Sequence, residues 1–323
     1  MFRIARASLL ASLCILFAVP TIAADRYPER PIRLIVPFAP GGGTDITARI
    51  LGESMSEGLG ATIVVDNRPG AGSIIGCNIV AKATPDGYTL LLASTSTTVN
   101  AAVYKKIPYD IERDLTAITR VSDQPSILVV HPSLQAKTFN DFVALVRSQP
   151  GKFNFGTPGY GTASHLASEE LWQKVGLDLV QVPFKGTGPA LTALLSKEIT
   201  IYMSTFASAL PFVKQGRLRA YAVTTQKRAG PLPDVPTLAE VGVQDYSFSA
   251  WYGLFAPAGT PRTIVNIIHK AAVDSLKSPK LLQTFENEGM NATPTTPEQF
   301  ASYIASEKRK WTDVMQFAKI DAR

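Results

Sequence analysis

The residues best placed to do chemistry lie in three short turns: Gly41-Gly42-Gly43-Thr44-Asp45, Gly156 to His165, and Lys185-Gly186-Thr187-Gly188. A glycine-rich strand-to-helix turn bares backbone N–H groups at the positive end of a helix dipole, which suits an anion. The chemistry on offer is anion capture, with hydroxyls from Thr44, Thr157, Thr162 and Ser164 beside the amides. Glycine serves positive φ in many tight turns, so one such turn is weak evidence. Two facing each other across a cleft would make a clamp, because open α/β sheets bind ligands outside the carboxyl ends of their strands. Asp45 reads as a helix cap or as a pocket wall. In the pocket it would repel an anion unless it met an amine or worked through water. Phe38 reads as a stacking face or as a plug in the core below the loop. His165, which opens the helix after the second loop, either holds that loop by hydrogen bonding or touches the ligand.

Other chemistries fit poorly. Counted from Gly41, the last glycine of a dinucleotide fingerprint falls on Ile46, and no Lys-Ser/Thr follows the glycines as a phosphate-binding P-loop requires. The three histidines are His131, His165 and His269. Ser164 and His165 are adjacent, no G-x-S-x-G occurs, and catalytic carboxylate pairs are not evident, so a secreted hydrolase or isomerase built on His165 lacks a partnered nucleophile. No Cys/His cluster suits zinc, and no metal or cofactor is expected.

These turns need strands and helices to hold them. Ile32–Val36 reads as a buried strand, followed by the first loop and a helix from about Asp45 to Leu59 with Thr44 as its N-cap. Thr62–Val65 and Thr89–Ala93 read as further strands, with a helix from Ser73 to about Ala83 between them. The third strand ends in the polar cluster Ser94 to Thr98. This βαβ repetition implies a parallel sheet. After strand-like runs at 114–121 and 126–131 and a helix at 139–148, a second α/β set begins. Its parts are a strand at 153–155, the second loop, a helix at 164–175, a strand at 179–183, the third turn, a helix to Leu195 with Pro189 at N1, and strands at 199–203 and 218–224. Phe248–Phe255 is aromatic and strand-like and returns the chain to the first half. Three closing helices, 264–276, 279–288 and 297–317, lack strand partners and should pack on the first sheet.

The chain has 323 residues, 46% hydrophobic and 18% charged, enough for two domains. Arg3 and Arg6, the apolar run Leu9–Val19, and Ile22-Ala23-Ala24 read as a cleaved secretory signal over residues 1–24. Its loss would leave 30 basic against 26 acidic residues, a charge of +4 without basic runs, so nucleic acid is excluded as a partner. Cys77 would then stand alone and reads as a buried packing residue.

Several longer runs are specific enough to carry a resemblance: Tyr27 to Gly42 (YPERPIRLIVPFAPGG), Val65 to Gly72 (VDNRPGAG), Pro85 to Leu91 (PDGYTLL), Gly161 to Leu166 (GTASHL), Val182 to Gly186 (VPFKG), Leu232 to Thr237 (LPDVPT) and Ala256 to Pro261 (APAGTP). In this order they resemble the Bug-type receptors, the periplasmic solute-binding proteins of tripartite tricarboxylate transporters, over nearly the whole mature chain. The resemblance implies an α/β, two-lobed Venus-flytrap fold with a hinge and no catalysis. Lobe 1 would be 25–124 plus 250–323 and lobe 2 would be 125–249. The protein would be a periplasmic monomer that captures a di- or tricarboxylate or an aromatic acid and delivers it to membrane permease subunits. A ligand sensor for a membrane signalling partner would use the same closed shape. Carried over motif by motif, the ligand contacts are Phe38, Gly42, Gly43, Thr44, Asp45 and Ser94 from lobe 1, and Thr157, Gly161, Thr162, Ser164, His165 and Ser204 from lobe 2. Many relatives carry an acid where this chain has Ser204. That departure speaks against an amino-acid ligand and for a plain carboxylate, with Phe206 close by.

Overall fold

The structure is a computed structural model and describes residues 27–317, with side chains through 314. The expected signal at 1–24 lies outside the described residues. Strand β1 (Ile32–Val36) is almost entirely buried, as a parallel strand covered on both faces must be. Helix α1 (Gly43–Leu59) follows it, then β2 (Ile63–Asn67), α2 (Ile74–Ala81) and β3 (Thr89–Ser94). β1 pairs in parallel with both β2 and β3. The polar cluster after β3 opens α3 (Thr95–Val103), a helix not expected from its β-branched composition.

The two strand-like runs expected at 114–121 and 126–131 are one strand, β4 (Leu115–Val130), 16 residues long. The next elements are α4 (Phe139–Ser148), β5 (Asn154–Thr157), α5 (Ala163–Lys174), β6 (Val180–Pro183), α6 (Thr187–Leu195), β7 (Ile201–Thr205), α7 (Phe206–Lys214) and β8 (Arg219–Val223). β9 (Ser249–Pro257) returns, followed by α8 (Arg262–Lys277), α9 (Pro279–Asn287), the two-residue β10 (Asn291–Ala292) and α10 (Pro297–Phe317). Strand order is β2-β1-β3-β9-β4-β7-β5-β6, with β8 and β10 also pairing β4.

β4 organises the molecule. Residues 115–125 lie antiparallel to β9, whereas 126–130 lie antiparallel to β7 and β8. One strand therefore belongs to both sheets, and each sheet carries its own helices. The result is the two-lobed fold that the resemblance implies. Thr224 joins the two crossings. Its hydroxyl accepts from the Ser126 N–H (2.9 Å) and lies 2.6 Å from the Phe248 carbonyl, to which it donates.

The closing helices divide their packing. α8 and α9 place Ile264, Ile268, Leu281 and Phe285 in the first lobe's core, as expected. α10 does not stay there. Phe300 and Ile304 pack with Trp251 and Phe255, but Trp311 packs into the second lobe's core, edge-on to Phe248 at 6.1 Å. Its length explains the difference, since 21 residues at 1.5 Å each outrun one lobe. Buried Glu307 ties the helix down, accepting from Trp251 Nε1 (3.0 Å) and Trp311 Nε1 (3.2 Å).

Candidate functional site

The first loop is held from behind. Gly41, at φ +82°, donates its N–H to Asp45 Oδ2 at 3.0 Å. Arg49 Nε reaches the same oxygen at 3.1 Å, and Asn67 Nδ2 donates to Asp45 Oδ1 and to the Phe38 carbonyl, both at 3.0 Å. Burial pushes the Asp45 carboxyl up, but the Arg49 guanidinium, the Gly41 N–H and the Asn67 amide outweigh it and hold it below the usual range. The helix starts at Gly43 with Gly42 as N-cap in extended conformation, so Thr44 sits inside the first turn and is not the cap. Glycine at position 43 lets the loop approach the floor closely. A Cβ there would overlap the Tyr252 hydroxyl and the Gln124 amide.

The second loop is held the same way. The Gly161 N–H donates to His165 Nδ1 at 3.1 Å, so the ring proton lies on Nε2, 3.5 Å from Glu169 Oε1. Thr162, the N-cap of α5, donates its hydroxyl to the Gly159 carbonyl at 2.8 Å. The lobes touch along both rims: the Ala39 N–H donates to the Lys185 carbonyl (3.2 Å), and the Ala163 N–H to Ser96 Oγ (3.1 Å).

Between them lies a cavity of about 40 Å³. Phe38, Gly42, Gly43 and Thr44 form one wall, Ser94, Thr95 and Ser96 a second, and Pro158, Ala163 and Ser164 a third, with Thr187 and Thr205 completing the ring. Ser126, Phe248, Ala250 and Tyr252 form the floor. The first turns or N-caps of α1, α3, α5, α6 and α7 all reach this one space. None of these five N-caps makes a side-chain cap, whereas Thr138 and Ser278 cap α4 and α9 away from the cavity. First-turn N–H groups have no intrahelical partner, so five positive dipole ends converge there. No lining residue is charged. Tyr252 Oη accepts from Gln124 Nε2 at 2.7 Å, which leaves its own proton for donation, and burial raises its pKa so that the proton stays. A second chamber of about 170 Å³ shares Phe38 and Pro158 with the first and has Lys185 as its one charged lining residue. Among the described residues no group of His, Cys, Asp and Glu suits a metal ion.

The sequence profile of the tripartite tricarboxylate transporter family receptor (TctC) matches residues 47–320. The chain belongs to this receptor family. Protein BugT of Bordetella pertussis is 35% identical over 297 residues, 91% of each chain. Among solved structures, R. palustris Rpa4515 with adipate superposes with a TM-score of 0.89 at 31% identity, covering 92% of this chain and 99% of that one. MatC (Rpa3494) from Rhodopseudomonas palustris with bound malate does so with a TM-score of 0.84 at 31% identity, covering 89% and 99%.

Of the twelve residues expected at the receptor's site, Phe38, Gly42, Gly43, Thr44, Ser94 and Ser164 line the cavity. Asp45, Gly161, Thr162 and His165 stand behind the walls in the hydrogen bonds given above. Thr157 Oγ1 accepts from Gln181 Nε2 at 2.9 Å, and the Ser204 hydroxyl donates to the Thr205 carbonyl at 3.0 Å. Phe206 is fully buried in the second lobe's core and does not line the cavity. The aromatic lining residues are instead Phe38, Phe248 and Tyr252. Sequence reasoning missed Thr95, Ser96, Ser126, Thr205, Phe248 and the β9 residues as site residues, and placed Thr187 only within the third turn. One signal was present: Ser122, Gln124 and Ser126 alternate along one face of β4, polar where a core strand should be apolar.

Proposed function

We propose that this receptor captures a small organic carboxylate between its lobes, with the carboxylate seated on the five helix N-termini, and delivers it to the permease subunits of a tripartite transporter. The convergence of those termini on a cavity without charged side chains carries the reading, because such a site favours an anion through fixed N–H dipoles. The related structures with adipate and malate support a carboxylate. The second chamber, with Lys185, offers a longer dicarboxylate room for its far end. No catalysis is part of the proposal. His165 is committed to Gly161 and Glu169, and the reading gives it the task of shaping the loop.

Binding would work by hinge closure. Ligand contacts from both lobes shift an open–closed equilibrium only by the difference in affinity for the two states. We assign the lobes as 25–124 plus 250–323 and 125–249, supported by the change of β4's partners at Pro125 and Ser126. The basic and apolar start of the chain and the family's role support export to the periplasm. Among the described residues no helix is long and apolar enough to cross a membrane.

A thermal-shift screen of mono-, di- and tricarboxylates beside amino acids and sugars tests the reading. Carboxylates should raise the melting temperature as their concentration exceeds Kd, by RT ln(1 + [L]/Kd) in stability. A rise with sugars or amino acids alone would sink it.

A further inference from the structure

Most hydroxyls around the cavity are used within the protein. Thr95 Oγ1 accepts from the Trp251 N–H, Ser96 Oγ from the Ala163 N–H and Thr187 Oγ1 from Tyr202 Oη, while Thr205 Oγ1 pairs with Ser208 Oγ. Ser126 differs. It is 1% exposed and lines the floor, and its Oγ has no partner among the described residues. Its backbone is fully occupied: the N–H donates to Thr224 Oγ1 and the carbonyl accepts from the Thr224 N–H, both at 2.9 Å. A buried hydroxyl without a partner is destabilising and calls for an explanation, which a ligand group supplies.

We propose that Ser126 is a specificity residue that reads a hydroxyl on the carbon next to the ligand carboxylate, making this a receptor for 2-hydroxy acids. The inference rests on the carboxylate reading above and adds to it the substituent and the residue that recognises it. Ser126 sits on β4, paired across from Thr205, on the floor rather than in a helix first turn. The carboxylate oxygens belong at the helix ends, where the N–H donors are. A serine hydroxyl has one donor and two acceptor sites. A carboxylate oxygen would engage the donor and set negative charge against the lone pairs, whereas an alcohol engages both.

The test is calorimetry with matched pairs: lactate against propionate, and malate against succinate, with both enantiomers of malate. The wild-type protein should bind the 2-hydroxy member about 10-fold tighter, the ratio expected of one buried neutral hydrogen bond, and should prefer one malate enantiomer. Ser126→Ala should weaken the hydroxy acids by about 10-fold relative to propionate and succinate, and erase the enantiomer preference. Equal weakening of both members would overturn the inference, since Ser126 would then meet the carboxylate or merely shape the strand. Equal binding of both members by the wild-type protein would overturn it without any variant, so a failure of Ser126→Ala to fold does not protect it. In both cases the carboxylate reading survives. Binding of none of these acids, or of any other carboxylate, would overturn both.

Discussion

At the scale of single residues, the groups with the most evident chemistry have the least direct place at the cavity. Asp45 and His165 are the conspicuous ionisable residues of the two loops, and each holds its own loop by accepting a backbone N–H from the glycine four residues earlier. The Asp45 carboxyl is held below its ordinary range in the folded protein. Its contribution to stability is therefore complete above the unfolded carboxylate range near ~4 and is lost as pH falls through the lower folded value. Asp45→Asn should cost about 1–3 kcal/mol at neutral pH. Melting curves of the two proteins should converge as pH falls through that value. A gap that stays constant to low pH would show that charge is not what Asp45 supplies. Local sequence revealed these loop residues because both ends of each bond lie within five positions. The floor was hidden for the opposite reason: Ser126 and Tyr252 are 126 positions apart, and only the pairing of β4 with β9 brings their strands together.

At the scale of elements, the unit of design is a strand that ends in glycine or hydroxyl residues and feeds a helix whose N-cap side chain makes no cap. The pattern was legible in the loops after β1 and β5, and in the turn before α6, because glycine and proline punctuate chains strongly. It was illegible before α3 and α7: neither Ser94-Thr95-Ser96-Thr97-Thr98 nor Ser204-Thr205-Phe206 carries a glycine, α3 opens on residues of weak helix propensity, and α7 carries Pro211 inside it. Tertiary burial decided those two helices. Close approach is the other element-scale demand. Gly43→Ala would favour helix α1 by propensity yet drive a methyl into the Tyr252–Gln124 pair, at about 1–3 kcal/mol for overpacking. The melting temperature should fall by that measure while circular dichroism stays helical. An unchanged melting temperature would mean that the first loop does not meet the floor.

At the scale of the molecule, two chain crossings join the lobes, and a third connection lies outside the cleft. α10 starts on the first lobe and ends with Trp311 in the core of the second, with Glu307 bound to a tryptophan from each end of its reach. Trp311→Ala should cost about 3–5 kcal/mol if the contact persists in every state of the protein. A smaller cost, with a shift toward a more open shape in small-angle scattering, would show that the contact forms only on closure. Either way the strut sets a resting angle. Rotation about β4 must carry Trp311 along or peel it from Phe248, so some of the work of opening is done on a surface that no ligand touches. Affinity in such a receptor is adjustable from its back. Substitutions along the last turns of α10 should raise or lower the apparent Kd for every ligand by one common factor, leaving the order of preference among ligands as it was.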